Sequence, residues 1–218
     1  NIPPESLDGI LITHEHADHI SGLATLHKRF RLPVYTSPGT ARQLCYRIAA
    51  LEDVVRTCAP GSSFTVGGLD VETFPISHDA AEPMGFAVSS GDRKAALVTD
   101  LGVVTEAVRN GMAGAQLVLV EANHDPDWVR SGPYPYYLQA RILGEKGHLS
   151  NEDGGALALS AVDGGARAVV LAHLSRENNT PQRAFDAVSA ILSAHGAREP
   201  GLTLAVAPRD QTGPVYTV

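Results

Sequence analysis

The string Thr13-His14-Glu15-His16-Ala17-Asp18-His19 constrains this chain more than any other part of it. It follows directly on the apolar run Gly9-Ile10-Leu11-Ile12, and residues 7–13 read as a buried strand. Side chains two apart on a strand project to the same side, so His14 and His16 face one way. Asp18 and His19 fall one step later, where the chain turns into a helix, and can serve a second position next door. Neutral imidazole and carboxylate are natural ligands for Zn, Mn or Fe, so the string is laid out for a two-metal site. The competing interpretation is a polar loop with incidental histidines.

A two-metal site needs further ligands, and later strands supply them at their carboxyl ends. Phe74-Pro75-Ile76-Ser77 leads to His78, Ala95-Ala96-Leu97-Val98-Thr99 to Asp100, and Ala168-Val169-Val170-Leu171-Ala172 to His173. Each alone is an ordinary polar residue at a turn. As a set behind the first string they point to one common site.

Strands and helices alternate along the rest of the chain. Helices are expected over 20–30, 39–50, 105–112, most of 136–163 (with Gly144 and Gly147 as breaks) and 180–194. Short strands are expected at 34–36, several times within 54–99, and at 117–120, 168–172 and 202–207. The 218 residues are 44% apolar, enough for one sizeable core, and a single domain over 1–218 is expected. There is no apolar run of about 18 residues for a membrane helix. Cys45 and Cys58 form no C-x-x-C pattern and read as reduced thiols of a cytoplasmic protein. The net charge of −7 argues against a generic nucleic-acid binder, but metal ions change the local field and leave room for a nuclease.

The pattern T-H-x-H-x-D-H, followed by a lone His, a lone Asp and a final His, resembles the metallo-β-lactamase superfamily. Ile76-Ser77-His78-Asp79-Ala80-Ala81-Glu82-Pro83, Glu121-Ala122-Asn123-His124-Asp125, Gly147-His148-Leu149-Ser150-Asn151 and His173-Leu174-Ser175-Arg176-Glu177-Asn178-Asn179-Thr180-Pro181 resemble its YycJ/WalJ branch. The resemblance runs from about residue 7 to 210. It implies an α/β fold, a four-layer αβ/βα sandwich, and the 5′-to-3′ DNA exonuclease activity of that branch, which is linked to DNA repair. Members of the branch begin with a β-hairpin region ahead of the first strand seen here. This chain opens on Asn1 without that segment, so either further residues precede Asn1 or the first sheet is incomplete. By resemblance, His14, His16 and His78 would hold one metal, Asp18, His19 and His173 the other, and Asp100 would bridge them.

Two divalent ions with Asp18, Asp100 and a bridging hydroxide would leave about one net positive charge, suited to a phosphodiester. The expected reaction is in-line attack of that hydroxide on phosphorus. His148 resembles the proton donor of the related tRNase Z enzymes, and Glu121, at a strand tip, is placed to orient it; otherwise His148 is a loop histidine near a helix start. His124 reads as a pocket residue or a packing group, and His27 and His195 as structural or solvent-facing. Ser175, Asn178 and Asn179 either bind phosphate ahead of a helix or cap the turn. Lys28, Arg29 and Arg31 either touch a nucleic-acid backbone or answer a helix dipole. Tyr134, Tyr136 and Tyr137 either stack bases or, as is preferred, pack over the core. The leading functional expectation is a dinuclear phosphodiesterase on nucleic acid, DNA favoured. The alternatives are a small-molecule hydrolase of a cyclic phosphodiester, lactone or thioester, and a non-catalytic metal-binding module.

Overall fold

In the computed structural model, which describes residues 2–217, the strands fall into two sheets. The first holds β1 (Ile10–Leu11), β2 (Val34–Thr36) and β3 (Val55–Thr57), all parallel. Three helices accompany it: α1 (Ala17–Ile20), α2 (Leu23–Phe30) and α3 (Pro38–Arg47). The second sheet is built from β4 (Ser63–Val66), β5 (Leu69–Pro75), β6 (Met84–Ser90), β7 (Arg93–Val98), β8 (Leu117–Glu121), β9 (Ala168–Ala172) and β10 (Thr203–Val206). Its order is β10-β9-β8-β7-β6-β5-β4. β4 to β7 meander antiparallel, and β7 to β10 are parallel through crossovers. The remaining helices are α4 (Glu106–Met112), α5 (Pro126–Ser131), α6 (Tyr136–Ile142), α7 (Asn151–Asp163) and α8 (Pro181–Ala194).

Three apolar clusters define the layers. Ile20, Leu23, Val34, Leu44 and Leu51 pack the first sheet against its helices. Val71, Met84 and Phe86, joined by Leu11, Cys58 and Phe64, fill the space between the two sheets. There the rings of Tyr35 and Phe64 stack with centroids 5.1 Å apart. Ala87, Val98, Val118, Leu157, Leu171, Val188 and their neighbours fill the space between the second sheet and α4, α7 and α8. Alternation along β6 sends Phe86 inward to the other sheet and Ala87 outward to the helices. The order helix, sheet, sheet, helix is the four-layer sandwich expected.

Several boundaries move for identifiable reasons. The strand expected over 7–13 shrinks to Ile10–Leu11. Its parallel partner is preceded by Pro33, which has no N–H to extend the ladder. At the other end the Thr13 carbonyl leaves the sheet to accept from Met84 of the second sheet, 3.2 Å away. The helix expected over 20–30 starts earlier, at Ala17, and is divided at Ser21 and Gly22. The one expected over 39–50 starts at Pro38, where the Ser37 hydroxyl accepts from Thr40, and gives way after Arg47 to a 3-10 turn, Ala49–Leu51. The stretch 136–163 becomes α6 and α7 with a loop between them. A Cβ at Gly147 would collide with the backbone of Arg141 and Ile142, so that loop doubles back tightly on α6. Among the described residues no helix is long and apolar enough to cross a membrane.

Candidate active site

β6 runs antiparallel to both β5 and β7, and β7, β8 and β9 are parallel, so β5, β7, β8 and β9 all point the same way. Their carboxyl ends therefore share one edge, and there they deliver His78, Asp100, Glu121 and His173. The first sheet brings Thr13 to His19 to the same edge through the Thr13–Met84 hydrogen bond. Asp100 and His173 have φ of +63° and +57°. Outside glycine the left-handed region is sparsely used, though Asp and His enter it more readily than most. At both positions the strand is turned abruptly at its tip, and a side chain that would continue the pleat reaches sideways into the site.

The donor atoms converge. His14, His16 and His78 present ring nitrogens within 4.8 Å of one another; the ring nitrogens and carboxylate oxygens of His14, His19 and Asp100, and of Asp18, His19 and His173, lie equally close. Asp100 stands among them, one carboxylate oxygen 3.3 Å from His19 Nε2 and the other 3.2 Å from His173 Nε2 and 3.9 Å from His78 Nε2. Asp18 approaches His173 Nε2 to 3.4 Å and His19 Nε2 to 3.8 Å. His16 Nδ1 lies 3.3 Å from His78 Nε2. All seven positions expected to be ligands are thus in one place.

The ring nitrogens facing away from the centre are held by the protein. His78 Nδ1 donates to the Gly147 carbonyl at 3.1 Å, which can only accept, so Nε2 keeps its lone pair for the centre. Thr13 Oγ1 lies 3.1 Å from His14 Nδ1 and 3.2 Å from His19 Nδ1. Glu121, fully buried, accepts four hydrogen bonds. One oxygen takes the Nδ1 protons of His173 at 2.8 Å and His148 at 2.9 Å; the other takes the backbone N–H of Leu101 at 3.1 Å and of Leu149 at 3.0 Å. What remains unpaired faces inward: among the described residues His14 Nε2 is buried with no hydrogen-bond partner, and the buried Asp100 Oδ2 has only His19 Nε2, 3.3 Å away, and no well-aligned donor. Orphaned buried acceptors are costly unless something fills the role of donor. Imidazoles and carboxylates without a thiolate are the donor set of borderline divalent cations, and these residues fit such ions.

Electrostatics divide the cluster. Burial, reinforced by His19, brings the His14 pKa down to about 3 despite the pull of Asp100, and burial also lowers His78. Burial acts the same way on His173, but hydrogen bonds to Asp18 and Glu121 and the charge of Asp100 overcome it and raise the pKa to about 10. The Asp18 carboxyl is held far below its usual range, chiefly by His173. Burial opposes ionisation of Asp100 and Glu121, yet the surrounding imidazoles keep both well below theirs.

Four contributors went unrecognised in the sequence. Asp79 follows His78, and its Oδ1, buried and without a hydrogen bond, lies 3.5 Å from His78 Nε2 and 3.9 Å from His16 Nε2. Its other oxygen is held by Arg141 Nε from α6. Glu15, between the first two histidines, accepts from Ala81 N at 2.9 Å and so ties the segment after His78 to the first string. Thr13 carries the two Nδ1 contacts described above. The position of Asp79 beside His78, and of Thr13 and Glu15 inside the string, was a usable signal; nothing near Arg141 was.

The other residues singled out sort as follows. His124 is buried, with neither ring nitrogen partnered among the described residues, and burial lowers its pKa to about 4. His27 is buried on α2 and His195 is exposed at the end of α8. Ser175 accepts from Asn178 N at 3.1 Å, and Asn179 bonds Ala122 O and Asn151, so this segment braces its own turns. Lys28, Arg29 and Arg31 are exposed at the C-terminal end of α2. Two of the three tyrosines correct the expectation of packing over the core: Tyr136 is 84% and Tyr137 74% exposed on α6, which buries none of its residues, whereas Tyr134 is half-buried and lines the groove beside the site.

The site lines a cavity of about 320 Å³, bounded by His16, Asp100, Arg141, His148 and His173 among others. It adjoins a groove of about 1360 Å³ that shares Asp18, His148 and His173 with it. The family model described as "Beta-lactamase superfamily domain" matches residues 2–174. The chain is 38% identical over 191 residues to the exodeoxyribonuclease YycJ of Bacillus anthracis, covering 87% of this chain and 72% of that protein. It is 36% identical over 187 residues to the exodeoxyribonuclease WalJ of Streptococcus pneumoniae, covering 84% and 70%. The crystal structure of the metallo-β-lactamase fold protein YhfI from Bacillus subtilis superposes with a TM-score of 0.70 at 17% identity, covering 94% of this chain and 77% of that one, a likeness of fold. With the ligand-bearing strand tips in place as well, the chain belongs to the metallo-β-lactamase superfamily, in its YycJ/WalJ branch.

Proposed function

We propose that this chain, as one unit over residues 1–218, is a metal-dependent exodeoxyribonuclease that digests DNA from the 5′ end. The observation that carries the reading is the convergence of His14, His16, Asp18, His19, His78, Asp100 and His173 beside His148. The similarity to two exodeoxyribonucleases supports DNA as the substrate. His14, His16 and His78 would hold one divalent ion and Asp18, His19 and His173 a second, with Asp100 between them. Zn, Mn and Fe suit the donors. Bound there, the ions supply Lewis acidity toward a phosphoryl group and activation of water.

The chain's own residues do the rest. Glu121 fixes the His173 and His148 rings by taking their Nδ1 protons. His148 Nε2, which has no hydrogen-bond partner among the described residues, is the atom from which a proton reaches the leaving oxygen. His148 lies 5.0 Å from His78 and 5.2 Å from His173, centroid to centroid, at the edge of the cluster of candidate ligands. The free, half-buried thiols of Cys45 and Cys58 suit a cytoplasmic setting.

The small-molecule reading has the net charge of −7 in its favour; the similarity to exodeoxyribonucleases weighs against it. The deciding experiment digests end-labelled DNA with Zn- or Mn-loaded protein, comparing 5′-phosphate with 5′-hydroxyl ends and using Asp100→Ala as control. Stepwise loss from the 5′ end, abolished in the control, is expected. Intact DNA in the presence of fully loaded protein would transfer the assignment to a small-molecule hydrolase.

A further inference from the structure

α6 is unusual in burying none of its residues, yet it borders the candidate active site. Leu138, Arg141 and Ile142 line the cavity that holds the candidate metal ligands, while Tyr136 and Tyr137 stand out into solvent. Packing does not explain rings placed this way. Trp128 and Leu143, also exposed, lie in the same stretch of chain, whereas most of the molecule's large apolar side chains are inside.

Tyr137 and Arg141 are four residues apart, so they share a face of the helix about 6 Å apart along its axis. The guanidinium is oriented by its Nε contact with Asp79, and its Nη atoms have no hydrogen-bond partner among the described residues. One helix face thus offers an aromatic plane and, one turn nearer the reacting centre, a cation. Locally the charge differs from that of the whole chain: residues 126–147 carry Arg130, Arg141 and Lys146 against Asp127 and Glu145, in a protein of net charge −7.

We propose that α6 is the docking site for an unpaired strand end, with bases stacked on Tyr136 and Tyr137 and a backbone phosphate on Arg141. The inference rests on the nuclease reading and names the form of DNA it uses. Bases inside a duplex have both faces covered by neighbours, so an exposed tyrosine takes only a terminal, frayed or single-stranded base. Stacking tolerates any sequence, because every base has a π-face, and this suits a nuclease that digests DNA of arbitrary sequence. A surface for a second copy of the chain would not need an arginine lining the cavity with its Nη atoms open.

The test compares kcat/KM of the metal-loaded enzyme on a single-stranded oligonucleotide and on bis-p-nitrophenyl phosphate, a diester too small to reach the tyrosines. In the Tyr136→Ala/Tyr137→Ala variant the ratio of the two constants should fall about ten-fold or more, the effect of losing base stacking. The Tyr136→Trp/Tyr137→Trp variant should retain it. An unchanged ratio, or failure of the tryptophans to restore it, overturns the inference, as does a wild-type dimer that the alanine variant converts to monomer. If the wild type cuts no oligonucleotide while hydrolysing the small diester, the nuclease reading falls and takes the inference with it. If the wild type cuts and the ratio does not move, the inference falls alone.

Discussion

At the scale of single residues, Glu121 is the side chain on which most depends. It is fully buried, and both of its oxygens each accept two hydrogen bonds. An amide has one accepting oxygen, so Glu121→Gln leaves two of four donors facing an NH₂ group. We expect a loss of about 2–3 kcal/mol in denaturant unfolding and a fall in activity of roughly 10–100-fold as the His173 and His148 rings lose their anchor. His148→Ala should behave differently: turnover falls by about 10²–10⁴ while metal content, measured by elemental analysis, stays at the wild-type level. Loss of metal would instead make His148 a ligand. His14, His16, Asp18 and His19 were legible because one short string fixes them relative to each other. Arg141 was not, because its place beside Asp79 depends on a helix folding over the cavity from 62 residues away.

At the scale of elements, the loop between α6 and α7 carries two functions within two residues. The Gly147 carbonyl orients His78, and the next residue is His148. Since a Cβ at Gly147 meets the backbone of α6, Gly147→Ala must push this loop outward. We expect a loss of about 1–3 kcal/mol in thermal or denaturant unfolding, as for a strained backbone position, together with weaker metal retention on dialysis. A variant that unfolds normally and keeps its metal would show that the loop yields without cost. The sequence placed glycine breaks in this stretch correctly, but glycine marks freedom of the backbone, not the direction in which it turns. The same limit applies to Asp100 and His173. Each was visible as a polar residue after an apolar strand, whereas their left-handed backbone is set by the tertiary site and leaves no local pattern.

At the scale of the whole molecule, the opposed pKa shifts make predictions about pH. His14 and His124 titrate at about 3 and about 4 in the folded protein, below the ordinary histidine value near 6.5. Between those limits the unfolded chain binds more protons, so stability of the metal-free protein should fall as pH drops from about 6.5 toward 4. His173 is shifted the other way, to about 10; its contribution is present below about 6.5 and is lost as pH rises toward 10. Urea midpoints across this range should peak between the two limbs. Because His173 is protonated in the metal-free state at pH 8 and a ligand must present a lone pair, metal uptake should release a proton. Titration calorimetry in buffers of different ionisation enthalpy measures this, and a buffer-independent heat would refute it.

The string Thr13–His19 belongs to the first sheet and His78, Asp100 and His173 to the second, and the two halves meet through an apolar seam, the Met84–Thr13 and Ala81–Glu15 hydrogen bonds and the contacts of Ser37 and Gly39 with Glu82. Ions held jointly by both groups would therefore act as a cross-link. A tie from His19 to His173 closes a loop of roughly 150 residues, and a covalent bond closing one of that length would be worth about 5 kcal/mol through the entropy of the unfolded chain. Chelation should thus do more than stop the chemistry: hydrogen exchange and proteolysis should rise first in β1 to β3, the smaller half, as if a rivet had been drawn from between two plates.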